Sequence, residues 1–282
     1  MHAHVPVGHR VVIQPVLKNN GTTYDGLIIM DPILNISPTI YLNPYYHRYL
    51  NGVSLTDIFE DILHTYRENK PSEDFDISVF KDFPKAKNRI VVKLVNYEKN
   101  KELLLEIPHV KFHDLALIFV CCVSDFLNEY ATILIHNQHL EMWDISLEEL
   151  YQIGMKNTPE MLPCRYERME DYFERMLENP FPFLADLHMY LLTNQLKIHG
   201  ATCMVYPGLL KELADKLEDN LIIIPSSIHE LLILPEKCTK ENYTLSDLKD
   251  MVGEANDTQL TDDEVLSDHA YLYIRETGEL QY

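Results

Sequence analysis

Apolar and polar positions along the 282-residue chain follow two periods, near two and near 3.6, and the switches between them mark out its elements. Residues 11–17 (VVIQPVL) and 23–30 (TYDGLIIM) are β-rich runs joined through Asn19-Asn20-Gly21, where Asn and Gly accept the positive φ of a tight turn, so a hairpin is expected. Pro15 has no N–H to give to a ladder, which puts the first strand at a sheet edge. Ser54, with Asp57 three residues on and Leu55, Ile58, Phe59, Ile62, Leu63 and Tyr66 on one stripe, predicts a capped amphipathic helix. Ahead of it, the run 43–50 (NPYYHRYL) places Tyr45, Tyr46 and Tyr49 on one side of a short helix, as core packing or as a ledge on which a ligand or peptide stacks. A polar stretch, Glu68 to Asp74, follows and is broken by Pro71.

Strands are expected at 90–97 (IVVKLVNY), 114–123 (DLALIFVCCV) and 131–136 (ATILIH), with a short helix near 98–106. Near-continuous apolar content in two of these strands predicts a sheet covered on both faces. Ser146 with Glu149 opens a second capped helix that ends near Asn157, and a charged helix over 165–178 is stopped by Asn179-Pro180-Phe181-Pro182. The last third reads as strands at 187–193, 201–206, 221–224, 230–234 and 269–275, with helices over 208–218 and 245–255 and a short return strand after Thr277-Gly278. The fold class is therefore α+β: mixed, largely antiparallel sheets with flanking helices in two packed units. The helix stop at 179–182 divides the chain into an N-terminal domain, 1–180, and a C-terminal domain, 181–282, with an acidic end.

Composition and charge narrow the function classes. With 46% hydrophobic and 24% charged residues and only 9 Gly, the chain is globular and has enough apolar material for its own cores. The net charge of −20 repels phosphate backbones and anionic lipid, so neither nucleic acid nor a membrane surface is an expected partner. The longest apolar run, Leu115 to Val123, falls well short of a membrane span, and MHAHVPVGHR does not read as a secretory signal. Five cysteines without a CxxC pair suit a reducing compartment, and the cytoplasm is expected. The acidity is concentrated late: residues 212–282 carry five basic and seventeen acidic side chains. Its densest part holds Glu254, Asp257, Asp262, Asp263, Glu264 and Asp268 with no Lys or Arg, read either as a docking surface for a basic protein partner or as a solvated loop.

Several runs together resemble one family. They are Lys18-Asn19-Asn20-Gly21, Pro38 to Leu42, Leu94-Val95-Asn96-Tyr97 with Asn100, Ile107-Pro108-His109 with Asp114-Leu115-Ala116, and Pro225 to Glu230 with Leu266-Ser267-Asp268. The combination, covering residues 11–275, is similar to a family of anaerobic gut Firmicutes catalogued as domain of unknown function 5688. The resemblance implies a bacterial cytoplasmic protein and no particular activity. Relatives in that family carry a further helical segment before the KNNG hairpin, where this sequence has only MHAHVPVGHR, so a fragment or a misplaced start is expected, with an exposed apolar patch if that helix normally covers the first sheet.

The most suggestive chemistry is Pro225-Ser226-Ser227-Ile228-His229-Glu230, between the apolar runs LIII and LLIL. A strand-turn-strand junction presents side chains from a rigid frame, and Ser227, His229 and Glu230 supply a hydroxyl, a base and a carboxylate, the ingredients of nucleophilic or acid–base catalysis. Such a site requires Ser226, Ser227, His229 or Glu230 to share a pocket with a further polar group such as Asn194 or Asp268. The alternative is a turn whose serines bond to backbone amides. His109 and His113, four apart and followed by Asp114, would share a helical face as metal ligands, with His136 and His139 as a second pair and His2, His4 and His9 at the start. No HExxH, GxxxxGK or GxGxxG occurs, so no metal and no cofactor is expected. Cys121 and Cys122 read as small hydrophobes inside a strand. The expected role is binding or regulation through a surface, and the alternative is an enzyme centred on residues 225–230.

Overall fold

The computed structural model describes residues 5, 7–71, 76, 78–123, 131–176, 188–239 and 244–282. The chain divides into two compact units, Met1–Val79 and Phe80–Tyr282. The division expected between residues 180 and 181 falls outside the described residues. The strands flanking it, Cys164–Arg168 and Tyr190–Asn194, pair with each other.

In the first unit, strands β1 (Arg10–Leu17), β2 (Thr23–Met30) and β3 (Thr39–Tyr41) form an antiparallel sheet in that order, with Pro15 on the edge strand. Asn20 and Gly21 carry the turn at φ of 59° and 71°. Helix α1 (Asn43–Leu50) leads to α2 (Leu55–Asn69), where Ser54 Oγ accepts the Asp57 backbone N–H at 3.2 Å, and the apolar stripe packs Ile58, Ile62 and Tyr66 against Leu27, Ile29 and Ile40. Tyr45 joins this core while Tyr46 and Tyr49 stay exposed, so the three tyrosines do not form one packed side. A short helix, α3 (Ser78–Lys81), falls at the division between the units.

The second unit opens with α4 (Phe83–Ala86) and holds two sheets. In the first, β6 (Leu115–Cys122) is central: β4 (Ile90–Asn96) lines one edge, and β5 (His109–Phe112) and β7 (Thr132–Leu134) share the other. Both faces of β6 are buried, as its unbroken apolar run requires. One face meets α7 (Leu147–Met161) through Val92, Phe119 and Leu150; the other is covered through Leu104 of α5 (Lys101–Glu106) and through Leu162. Helix α6 (Asn137–Trp143) packs Trp143 on Phe80. The second sheet runs β13 (Leu280–Gln281), β12 (Tyr271–Tyr273), β10 (Leu221–Ser227), β11 (Glu230–Pro235), β9 (Tyr190–Asn194), β8 (Cys164–Arg168), all antiparallel. Its inner face shares the core of the first sheet and α9 (Leu209–Leu217), while α10 (Leu245–Gln259) covers Ile222 on the outer face. Helix α8 (Met169–Met176) follows β8.

Side chains seal the outer edge of β4. Thr158 Oγ1 accepts the Val92 N–H (2.9 Å), Thr202 Oγ1 accepts the Leu94 N–H (3.2 Å), and Asn157 Nδ2 donates to the Ile90 carbonyl (3.0 Å). Three ladder groups of this edge strand thereby find partners without a further strand.

Two of the expected elements take a different form. Residues 201–206, expected as a strand, lie in a 3₁₀ helix, Gly200–Val205, that is buried almost throughout. Its apolar run serves a segment surrounded by core on all sides, which periodicity does not distinguish from a buried strand. A Cβ on Gly200 would come within 2.0 Å of Thr193 Oγ1 and 2.4 Å of the His229 carbonyl, so only glycine lets this turn close on β9. The helix expected over 165–178 begins four residues late, because Cys164–Arg168 pairs with β9 as the outermost strand of the sheet.

Candidate functional site

The strand-turn-strand junction forms as expected, but its polar groups are spent on the turn. Ser227 is 7% exposed, and its Oγ accepts the His229 backbone N–H at 3.0 Å. The His229 carbonyl accepts from Thr193 Oγ1 (2.8 Å), and its ring Nδ1 accepts the His199 backbone N–H (3.1 Å). An imidazole whose Nδ1 lone pair receives an amide proton carries its own proton on Nε2 when neutral. It then has no lone pair with which to deprotonate Ser227. Burial pushes the His229 pKa down, outweighing the nearby Glu264, Glu230 and Asp263 carboxylates, so the neutral form is the favoured one. Ser226 Oγ donates to Glu230 Oε1 at 3.5 Å. Asn194 is consumed within its own turn, donating to the Ile198 carbonyl (2.8 Å) and accepting the Leu196 N–H (3.0 Å), while Asp268 Oδ1 accepts from Asn256 Nδ2 (2.8 Å). The His199 ring, which sequence reasoning missed, lies 5.5 Å from that of His229.

The proposed histidine ligand pairs are also reassigned. His109 lies on β5 and His113 at a left-handed position (φ 55°) in the turn to β6, so they share no helical face. His139 Nδ1 accepts the His136 N–H at 2.8 Å as part of the α6 cap. His9 Nε2 stands 3.3 Å from Asp31, and His2 and His4 lie outside the described residues. Among the described residues, no group of three or more His, Cys, Asp or Glu side chains could hold a metal.

Distant polar residues knit the segment 261–270 to both sheets. Asn96 Nδ2 donates to the Leu266 carbonyl (3.1 Å), and Asn256 Nδ2 to that of Ser267 (3.0 Å). Asp114 accepts from Ser267 Oγ (2.6 Å) on one oxygen and from the Tyr271 hydroxyl (2.5 Å) on the other. Burial, then the Asp114 charge, raises the Tyr271 pKa far above its usual value, so the phenol stays a donor. The Ile228 N–H donates to the Glu264 carbonyl (2.9 Å), holding the acidic segment against the 225–230 turn.

The space these elements leave open is a cleft of about 340 Å³ in the second unit. Phe112 and Leu117 of the first sheet, Tyr151 and Met155 of α7, Met204 to Gly208, Leu210 and Lys211, and Tyr273, Gly278 and Leu280 of the last hairpin line it. Four separate stretches of sequence contribute, and no local pattern announced it. A larger hollow, about 930 Å³, runs along α2 from Leu55 to Arg67, but only that helix lines it, so no second wall opposes a ligand. A third, about 650 Å³, is lined by charged groups engaged with one another, Asp215 with Lys211 and Arg275 among them.

No curated protein and no solved structure matches the chain. One family model does, over residues 1–275, described as a family of unknown function, DUF5688. The runs that carried the resemblance include Asn96, Asn100, Asp114, Ser267 and the 225–230 turn, which the structure gathers into the hydrogen-bonded frame behind the acidic segment. With nearly its whole length matched, the chain belongs to the DUF5688 family.

Proposed function

We propose that this protein works by binding, holding a small molecule in the cleft between the two sheets of its second unit, and that it performs no chemistry at the 225–230 turn. The carrying observation is the cleft itself, walled by both sheets of that unit, α7, α9 and the last hairpin, with Lys211 the one charged side chain among its lining residues. Sites of this kind, concave and mainly apolar with a few polar groups, are where small ligands bind. The test is ligand-observed NMR with a library of small soluble molecules, comparing the wild type with Met155→Trp, which fills the cleft. Hits lost in the variant support the reading, and a hit list that the variant leaves unchanged overturns it.

A second surface complements this role. The acidic residues Asp262, Asp263 and Glu264 lead into residues 264–267, whose backbone carbonyls are held by Ile228, Asn96 and Asn256, and carboxylates anchored on one side suit a basic protein partner better than a loose loop does. Changing the three to Asn, Asn and Gln should remove a partner from a pull-down, and an unchanged partner set would discard this surface. We place the protein in the bacterial cytoplasm. The five unpaired cysteines support a reducing compartment, and burial pushes the Cys121, Cys122 and Cys203 thiols up to about 11, 12 and 12, making them unreactive. Among the described residues no helix is long and apolar enough to cross a membrane.

A further inference from the structure

The walls of the cleft restrict what it takes. Lys211 is the one charged side chain among the lining residues, and its Nζ lies 2.6 and 2.7 Å from the two Asp215 carboxylate oxygens. Arg275 Nε adds a second cation at 2.9 Å to the same carboxylate. Glu218, Asp219 and Glu276 line the same hollow as these two cations, so carboxylates outnumber them and the ammonium is compensated. An anionic ligand would find no free counter-charge and would meet a chain of net charge −20, while a cationic one would find no carboxylate on the lining. The occupant is therefore uncharged.

The shape of its contacts follows from the side chains. Phe112, Tyr151 and Tyr273 offer ring faces and edges, and Met155 and Met204 offer polarisable thioethers, which adapt to the edge of a flat ring. The polar contacts are few. The Tyr206 hydroxyl is occupied, donating to the Leu162 carbonyl at 2.7 Å, whereas the hydroxyls of Tyr151 and Tyr273 bond to no described residue. The Tyr273 hydroxyl stands beside Gly278, 3.6 Å from where a Cβ would be, at the wall of the cleft. A volume of about 340 Å³ lies at the small end of the range of roughly 300–1,000 Å³ typical of ligand pockets.

Resting on the binding reading above, we infer that the cleft takes an uncharged, flat aromatic molecule of fused-ring size with one hydrogen-bonding substituent, which pairs with the phenol of Tyr273 or Tyr151. The probe is 2-naphthol, compared with 2-naphthoate, which adds a charge, and with decahydro-2-naphthol, which removes the flat ring. Protein carrying ¹³C-methyl methionine reports binding through the Met155 and Met204 methyls, assigned by Met→Leu replacement. Ring currents from 2-naphthol should move both methyls, with affinity at least tenfold above the other two probes and reduced several-fold by Tyr273→Phe or Tyr151→Phe. Equal or tighter binding of naphthoate or the saturated alcohol, or no loss in either Phe variant, overturns the ligand class while leaving the cleft a binding site. If no probe moves either methyl, or if Met155→Trp leaves the shifts intact, the binding reading falls with it.

Discussion

His229 shows how a residue's chemistry is decided by what surrounds its atoms. As a residue type it is the commonest general base, yet an amide proton occupies its Nδ1 and burial disfavours its charged form, so in this chain it is a turn-holding acceptor. Ser227 is spent in the same way, its oxygen closing the turn rather than facing a substrate. At the other end of the chain, Asp31 accepts from Lys70 Nζ at 2.6 Å and from the Ile33 N–H at 2.9 Å, with His9 Nε2 3.3 Å away and the Tyr66 ring nearby. The Lys70 hydrogen bond, followed by the Ile33 one, holds the Asp31 carboxyl below the usual carboxylate range. Because the folded chain then binds this proton less readily than the unfolded one, Asp31 stabilises the first unit fully above the ordinary value of about 3.9. That contribution is lost as the pH falls below it towards the lowered native value. Asp31→Asn should therefore be less stable than the wild type at pH 7 and show a flatter stability profile between pH 5 and about 3. Urea unfolding of both proteins across that range checks it, and parallel profiles would exclude the Asp31 tie.

At the scale of elements, local pattern is enough wherever an element has one wet and one dry side. The caps at Ser54 and Ser146 each accept the N–H three residues on, at 3.2 and 3.1 Å, and the stripe on α2 meets the first sheet as its spacing requires. Pattern fails where a short apolar run fits a buried helix as well as a buried strand, or where an element is completed by a distant neighbour. The 3₁₀ helix Gly200–Val205 is the first kind, and β8, a strand only because β9 lies beside it, is the second. The sealed edge of β4 belongs here too, since its partners Thr158 and Thr202 are 66 and 108 residues away. Thr158→Val keeps the side-chain shape but leaves the buried Val92 N–H without its acceptor, at an expected cost of about 1–3 kcal/mol. Thr158→Ser should recover most of that loss. Urea denaturation followed by fluorescence of the single tryptophan, Trp143, measures both, and a wild-type midpoint for the Val variant would show that the β4 edge does not depend on this bond.

For the whole molecule, two cores divide the chain after Val79, each with its own buried cluster. Ile62 is 5% exposed in the first core, and Ile62→Ala should cost that unit about 2–5 kcal/mol. Trp143 lies in the second unit, so its fluorescence transition should stay in place while the amide signals of β1 and β2 are lost at lower urea. A Trp143 midpoint that moves with them would mean that the two cores unfold as one. The sequence by itself determined the α+β class, the KNNG hairpin, both serine caps and the burial of β4 and β6, because periodicity, turn chemistry and capping act over a few neighbouring residues. Tertiary structure alone decided that Asp114 meets Ser267 and Tyr271, that Asn96 holds Leu266, and that the Ser-x-His run closes a turn. It also decided where a cleft would open, because an opening is the volume that several distant segments together leave unfilled, and no single stretch of residues encodes that volume.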